Sequence, residues 1–341
     1  MILDCHCHLI PAGMLTGAVP EAWRPRLSVN DGQRVVSFQG RRLTSVTGEF
    51  SDVAVMLEEA AAAGVSHLLV SPWILLVPVQ ADAPVALRIC RVQNESIAQA
   101  ARDSGGRVYG LGAVPLQDPG LAAAELADLV ALPGMYGAEV PASVAGCYLG
   151  DDKFTPFWEA AADTGALVFV HPTTTGLGIA GLDGGYLWNS VGNPLETTIA
   201  AAQLVVNGVL ERYPGLKILL AHGGGALPAL RGRLRRAFAV RPEARASSAR
   251  QDDQEQRCLA APDDSLRRLY FDGLTHDSAV LADLVAFAGA GHVLLGSDRP
   301  FDMGTDRPVE EIRALGLPAA DEQLLLAGNA GQLLNLTTDE R

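Results

Sequence analysis

Short apolar segments alternate with helical segments along nearly the whole chain, and this alternation restricts the fold most strongly. Eight segments are predicted to be β-strands: the first strand, which ends in residues 4–8, and residues 65–70, 108–114, 136–140, 166–171, 216–222, 269–272 and 292–298. Helices are predicted at 52–63, 86–103, 119–131, 154–163, 195–212, 225–239, 278–288, 308–315 and 320–327. Near-continuous apolar strands separated by helices are typical of a parallel sheet covered by helices. We therefore predict an α/β protein with a (β/α)8 TIM-like barrel.

An open, doubly wound sheet is the alternative fold. A Gly-x-Gly-x-x-Gly segment after the first strand would favour it, and the sequence has none there. A chain of 341 residues lies within the range of one barrel. We expect a single domain over residues 1–341, with residues 13–50 forming an insertion after strand one. Long insertions of this kind are often functional.

Charge and composition restrict the partners and the compartment. The formal net charge of -13 argues against a nucleic-acid partner, because the phosphate backbone selects basic surfaces. No apolar run approaches the ~20 residues of a membrane-spanning helix, and no basic leader precedes the first strand. The number of cysteines, five, is odd, and their spacing does not match a disulfide framework. This indicates reduced thiols in a cytoplasmic protein.

Four histidines and one aspartate fall at predicted strand ends. His6 and His8 alternate along strand one and so share one face. His171, His222 and Asp298 end strands five, six and eight. In a barrel these ends meet at the face that carries the active site. Three imidazoles and a carboxylate suit Zn²⁺, with Mn²⁺ as a second choice, and His222 would remain free as a base. The alternative is a set of buried polar residues that satisfy one another.

These motifs resemble those of the amidohydrolase superfamily. The similarity rests on His6-x-His8, His171-Pro172, His222-Gly-Gly-Gly and Gly296-Ser-Asp298. A narrower similarity, to metal-dependent decarboxylases typified by aminocarboxymuconate semialdehyde decarboxylase, rests on five more stretches. They are Leu111-Gly-Ala-Val-Pro115, Gly192-Asn-Pro-Leu-Glu196-Thr-Thr-Ile-Ala200, Phe271-Asp-Gly-Leu-Thr-His276-Asp277, Arg299-Pro-Phe301 and Ala327-Gly-Asn-Ala330.

The resemblance implies roles for individual residues. It implies one ion on His6, His8, His171 and Asp298, with His222 as the base that activates the metal's water. It also implies that Arg241 reaches the site of a neighbouring subunit and holds a substrate carboxylate, and hence a homodimer. The alternative for Arg241 is a solvated surface arginine.

A single metal ion is expected because of what strand four lacks. Two-metal amidohydrolases commonly bridge their ions with a carboxylated lysine at the end of that strand. This chain has Glu139 there, and its two lysines, Lys153 and Lys217, lie elsewhere. Two roles remain open for Glu139, that of a carboxylate at a second metal site and that of a substrate contact.

Other positions that face the substrate in the family depart from its pattern. Arg299 stands where the family often has a tyrosine, and it either adds a cation near the substrate or pairs with Asp302 or Asp306. Arg41 and Arg42 lie near, but out of register with, the family's insertion arginine. The remaining expected substrate contacts are Trp188 and Asn189, of which Asn189 takes the place of the family's gating tryptophan, and His276, which could instead serve the start of a helix.

The predicted function is non-oxidative decarboxylation of an unsaturated or aromatic carboxylic acid, catalysed by a carbon–carbon lyase with His222 and Asp298 at its centre. The alternative enzyme is a metal-dependent hydrolase of a lactone, an amide or a C–C bond. A metal-binding or regulatory protein without catalysis is the third hypothesis, and the presence of His222, which a structural metal site does not need, argues against it.

Overall fold

Eight parallel strands form the central sheet of this computed structural model, which describes residues 1–30, 32–173, 177–244 and 260–336. The strands of the described chain are β1 (Leu3–Leu9), β2 (Arg26–Asn30), β3 (Gln33–Phe38), β4 (Arg41–Leu43), β5 (His67–Pro72), β6 (Val108–Gly112), β7 (Met135–Pro141), β8 (Ser143–Val144), β9 (Cys147–Tyr148), β10 (Leu167–His171), β11 (Lys217–Leu220), β12 (Tyr270–Asp272) and β13 (Val293–Leu294). The order in the large sheet is β1-β5-β6-β7-β10-β11-β12-β13. The predicted barrel is confirmed.

Helices cover the outside of this sheet and are separated by the strands, as predicted. Within the described residues they are α1 (Val53–Ala62), α2 (Ala83–Asp103), α3 (Pro119–Val130), α4 (Thr155–Thr164), α5 (Asn193–Val206), α6 (Val209–Arg212), α7 (Leu227–Val240), α8 (Pro262–Leu266), α9 (Ser278–Ala288), α10 (Pro308–Arg313), α11 (Ala319–Gln323) and α12 (Asn329–Leu333). None of the described helices is long and apolar enough to cross a membrane.

The first and last strands are joined by the segment that follows β13. The Cys5 N–H donates to the Leu295 carbonyl at 2.9 Å, and the Asp298 N–H donates to the His6 carbonyl at 2.7 Å. The His8 N–H donates to the Arg299 carbonyl at 2.8 Å. These bonds close the barrel and fix Asp298 beside the two histidines of β1.

Two sets of apolar side chains fill the barrel and the space between it and its helices. One lies between the strands and the helices and includes Trp158 and Phe271. The other contains Phe169, Leu219 and Leu294 from the strands and extends to Leu336 near the end of the described chain. Burial of apolar area on this scale is the main favourable term in folding, and it leaves the carboxyl ends of the strands free for polar groups.

The insertion after β1 is more regular than the sequence indicates. The sequence of residues 13–50 has no clear period, but β2, β3 and β4 form a three-stranded antiparallel sheet there. Val36 and Phe38 of β3 are buried and belong to the same apolar cluster as Trp73, which Phe301 contacts. The insertion therefore packs over one side of the barrel mouth.

Several predicted elements differ in length from those observed, among them one helix and one strand. The predicted helix 195–212 is divided into α5 and α6, because Gly208 adopts a positive φ of 69°. The predicted strand 292–298 is a strand only at Val293–Leu294, and His292 lies in a 3₁₀ turn. Residues 243–264, where no helix or strand is predicted, contain the start of α8 among those that the structure describes.

Candidate metal centre and active site

The carboxyl ends of the barrel strands bring four polar side chains to one point. His6 and His8 lie on β1, His171 is the last residue of β10, and Asp298 follows β13. Their nearest ligand atoms all lie within 4.8 Å of one another, and all four residues are buried. The two Nε2 atoms of His6 and His8 are 3.1 Å apart, and each lies 3.3–3.4 Å from Asp298 Oδ1. Three nitrogens and one carboxylate oxygen thus surround a single small volume.

The outer nitrogen of each imidazole has its own partner. His6 Nδ1 lies 2.6 Å from Asp272 Oδ2, His8 Nδ1 lies 3.1 Å from Ser71 Oγ, and His171 Nδ1 lies 2.8 Å from the Pro172 carbonyl oxygen. Acceptors on Nδ1 place the proton there and leave Nε2 with its lone pair, which is how metal-binding histidines are oriented. His171 Nε2 is buried and has no hydrogen-bond partner among the described residues. The donor set therefore fits a divalent metal ion.

Burial and charge act in opposite directions on the titratable groups of this cluster. Burial lowers the pKa of His8, and burial together with the neighbouring imidazoles lowers that of His171 well below its usual range. Burial would also lower the pKa of His6, but Asp298 and Asp272 raise it to about 10. For Asp298, burial is outweighed by the surrounding histidines, which hold its pKa well below the usual range. His8 and His171 are thus neutral beside an ionised Asp298, the form in which metals bind these groups. A metal ion would have to displace the proton that His6 holds.

His222 lies beside the cluster and has a strained backbone. Its φ is 56°, a left-handed conformation that is uncommon for residues other than glycine. Its N–H donates to Asp272 Oδ2 at 2.8 Å, and the next N–H, from Gly223, donates to Asp272 Oδ1 at 2.7 Å. His222 Nε2 is 3.6 Å from Asp298 Oδ2, and the side chain is 17% exposed. The ring therefore stands between the buried cluster and the opening.

Asp272 is a site residue that sequence reasoning missed. It is fully buried at the end of β12, and it contacts both a predicted metal ligand and the predicted base. Its pKa is lowered: burial opposes ionisation, but hydrogen bonds and charge from His6 and His222 favour it. The sequence carried one available signal, because an aspartate directly follows an apolar strand in the Phe271-Asp-Gly stretch.

Glu139 lies behind the imidazoles. Its Oε1 is 3.7 Å from His8 Nδ1 and 3.9 Å from His171 Nδ1, on the side of the rings away from the Nε2 atoms. Burial raises the pKa of this carboxyl well above its usual range. Glu139 does not border either of the cavities described next.

Two cavities open onto the cluster. The first has a volume of about 310 Å³ and is bordered by Arg41, Arg42, Trp188, Trp73 and Phe301, among others. The second has a volume of about 350 Å³ and is bordered by His276, Thr275 and Leu274. They share one wall, which consists of Asn189, Asn193, His222, Asp298 and Met303. Of the expected substrate contacts, Arg41, Trp188, Asn189 and His276 thus border the cavities.

Two predicted substrate contacts lie elsewhere. Arg299 turns away from the site, where its Nη1 donates to the Glu59 carbonyl at 3.2 Å and its Nη2 lies 3.4 Å from Asp306 Oδ1. The contact with Asp306 is one of the alternatives that the sequence allowed for Arg299. Arg241 directly follows α7 and is exposed. Neither arginine is among the described residues that border the two cavities.

A closed parallel barrel with three histidines and an aspartate at its carboxyl end defines the class of metal-dependent barrel enzymes. Comparison with known proteins is more specific. A family model described as "Amidohydrolase" matches residues 3–336, and the chain belongs to this family.

The relatives are named decarboxylases. A 2-amino-3-carboxymuconate-6-semialdehyde decarboxylase of Dictyostelium discoideum is 31% identical over 256 residues, which cover 74% of this chain and 67% of the relative. A 6-methylsalicylic acid decarboxylase of Penicillium expansum is 34% identical over 65% of this chain and 66% of its own length. The predicted resemblance is confirmed, and these names agree with the predicted class of carbon–carbon lyase.

Solved structures agree with the fold. The 5-carboxyvanillate decarboxylase of Sphingomonas paucimobilis has a TM-score of 0.78 at 22% identity, and the match covers 98% of this chain and 99% of that one. A dihydroxybenzoic acid decarboxylase from a Polaromonas species, solved with bound manganese and the inhibitor 2-nitroresorcinol, has a TM-score of 0.76 at 23% identity over 99% and 98% of the two chains.

Proposed function

We propose that this protein is a metal-dependent, non-oxidative decarboxylase of an unsaturated or aromatic carboxylic acid, with one metal ion per chain and His222 as its general acid–base group. The observation that carries the proposal is the position of His222. The side chains of His6, His8, His171 and Asp298 already suffice to hold a metal ion. His222 borders both cavities beside them and is not needed as a fifth ligand.

The metal would be held by Nε2 of His6, His8 and His171 and by the Asp298 carboxylate. When bound, such an ion acts as a Lewis acid that polarises an oxygen atom and stabilises negative charge. Zn²⁺ suits the donor set, and Mn²⁺, which is present in the Polaromonas decarboxylase structure, is the other choice.

His222 would move the proton that decarboxylation requires. When the bond between a carbon and its carboxylate breaks, carbon dioxide leaves and the electron pair stays on the carbon, which must then take up one proton. The imidazole can transfer that proton through Nε2, which faces Asp298, while Asp272 fixes the backbone that carries the ring. A positioned histidine contributes about 10²–10⁴-fold to such a step.

The first cavity offers complementary contacts to a flat acid. Trp73, Trp188 and Phe301 supply aromatic walls, and Arg41 and Arg42 supply positive charge at its border. An arginine binds a carboxylate in a bidentate manner, which fixes its orientation. We assign Arg41, Trp188, Asn189 and His276 to substrate contact, and we retain no such role for Arg299.

We also propose a homodimer in which Arg241 serves the neighbouring site. Helix α7 supports this proposal, because Leu227 is its one fully buried residue among the fourteen. Leu230 and Val240 are 37% and 46% exposed on this helix, although large apolar side chains favour burial. Sedimentation velocity should give a dimer, and an Arg241→Met variant should keep the dimer while raising KM.

Product analysis tests the proposed activity. Protein loaded with Mn²⁺ or Zn²⁺ is offered hydroxybenzoic and amino-muconate-type acids, and carbon dioxide is measured. The proposal expects one carbon dioxide for each acid consumed and a product with one carbon fewer. Two fragments with water added would instead identify a hydrolase, and metal binding without any turnover would favour a non-catalytic protein.

We expect the enzyme to act in the cytoplasm, in keeping with the free thiols of Cys5, Cys7, Cys90 and Cys147. Cys258 lies outside the described residues.

A further inference from the structure

Asn193 occupies the wall that separates the two cavities. It is the first residue of α5, and a single π-helical turn, Trp188–Gly192, precedes it. The side chain is 4% exposed, and it borders both cavities together with His222 and Asp298. A polar side chain at this place is in reach of a molecule bound in either cavity.

Among the residues that the structure describes, none pairs with the Asn193 carboxamide. Its Oδ1 is buried and receives no hydrogen bond, and its Nδ2 donates none, to any residue that the structure describes. Three other buried amides also have an unpaired oxygen, but each is anchored through its nitrogen: Asn329 to Ala290 and Val293, Gln93 to Leu76, and Gln117 to Pro78 and Ala81. Nearly all buried polar groups in native proteins have a partner. The free amide of Asn193 is therefore the exception.

The unpaired atom itself indicates what kind of group would pair with it. Oδ1 is a hydrogen-bond acceptor, so its partner must carry a hydrogen atom that it can donate. An ionised carboxylate has none and would be repelled by the carbonyl oxygen. A neutral group with an O–H or N–H bond can donate to Oδ1, and its own lone pair can accept from Nδ2.

We infer that Asn193 is a specificity-determining residue, which binds a neutral hydroxyl or amino substituent of the substrate. The inference rests on the proposed function, since the substrate is taken to be an acid bound between His222 and the aromatic walls. Acids with such a substituent would pair with Oδ1, whereas acids that lack it would leave this buried oxygen without a partner. Sites built in this way reject the analogue without the polar group.

Binding of unreactive probes tests the inference without turnover. Manganese-loaded protein is titrated calorimetrically with 2-nitroresorcinol, 2-nitrophenol and nitrobenzene, which carry two, one and no hydroxyl groups. For the wild type, we expect the affinity to fall about tenfold in at least one of the two steps that each remove one hydroxyl group from the probe. This ratio of affinities is the size expected for one neutral hydrogen bond at a buried site. In Asn193→Leu, which keeps the volume but removes the amide, that ratio should fall to about one.

Two further variants serve as a second test and as a control. Asn193→Ala repeats the test if the leucine variant does not fold, and manganese stoichiometry shows whether either variant keeps its metal site. Ser190 also borders the second cavity, but its hydroxyl already donates to the Tyr186 carbonyl. The control variant Ser190→Ala should therefore keep the wild-type ratio.

Two results would overturn the inference: a wild type that binds the three probes equally well or not at all, and a folded Asn193 variant that keeps the wild-type ratio. Failure of the proposed function looks different. In that case the wild type distinguishes the probes and the Asn193 variant does not, but no acid yields carbon dioxide.

Discussion

Asp272 and His222 are joined by a 2.8 Å hydrogen bond from the His222 N–H to Asp272 Oδ2, and the same oxygen lies 2.6 Å from Nδ1 of His6. One carboxylate thus fixes both a proposed metal ligand and the proposed base. It also accepts from the Gly223 N–H, which stabilises the left-handed backbone at His222. The proposed metal ligand His6 and the proposed base His222 therefore both depend on a residue that borders neither cavity.

Replacing Asp272 should weaken metal binding. In Asp272→Asn the Nδ1 atom of His6 loses its anionic acceptor, and changes of this kind typically cost 10–100-fold in metal affinity. We expect the manganese affinity, measured by equilibrium dialysis, to fall within this range.

A nearby aspartate provides the control for this variant. Asp277 accepts hydrogen bonds from the Ala279 and Val280 N–H groups at the start of α9. Asp277→Asn should change the stability by no more than about 1 kcal/mol, since asparagine also caps helices, and should leave the manganese affinity unchanged. Wild-type manganese affinity in the Asp272 variant would show that the carboxylate does not orient His6.

Arg41 and Arg299 should differ in kinetic effect despite their shared charge. Arg41 borders the first cavity, whereas Arg299 points toward Glu59 and Asp306. Arg41→Met should raise KM for the acid about tenfold, the size of one charge-assisted hydrogen bond. Arg299→Met should leave KM unchanged and lower the melting temperature. Steady-state kinetics on both variants checks this, and a raised KM in the Arg299 variant alone would reverse the assignment.

Glu49 should make the stability of the insertion depend on pH. Burial opposes its ionisation, but the Asp52 and Ser51 N–H groups and Arg34 outweigh burial and lower the pKa of this carboxyl to about 2. Because the folded pKa lies below the unfolded value, the contribution is complete above pH 4.5 and is lost as the pH falls from 4.5 to 2.

Unfolding experiments test this pH dependence. Glu49→Gln should lower the free energy of unfolding by about 1–2 kcal/mol at pH 7, after allowance for solvent screening, and by less at pH 3.5. Urea unfolding of metal-free protein at both values measures the difference. The control is Glu21→Gln, which removes an exposed ion pair with Arg26 and should have little effect at either pH. A Glu49 effect that is equal at both values would contradict the lowered pKa.

The sequence predicts the barrel and the convergent histidines because both follow from strand periodicity. His6 and His8 share a face in any strand, and the carboxyl ends of parallel strands meet in any closed barrel. Neither inference needs a particular side-chain contact, so both could be made before the structure was known.

Contacts between distant segments could not be predicted in the same way. Asp4 accepts hydrogen bonds from the Ser297 N–H and hydroxyl, and burial raises its pKa to about 6. Asp272 is separated from His6 by 266 residues. Such pairs depend on the final packing. The orientation of Arg299 toward Asp306 is a similar case, because the sequence allowed either direction.

In the proposed mechanism His222 serves catalysis and not metal binding. His222→Asn separates these two roles, because asparagine tolerates a positive φ and should preserve the backbone. Metal content and carbon dioxide release are measured together on wild type and variant. We predict about one metal ion per chain in both, with carbon dioxide release about 10²–10⁴-fold slower in the variant. A variant that loses its metal, or that releases carbon dioxide at the wild-type rate, would contradict this account.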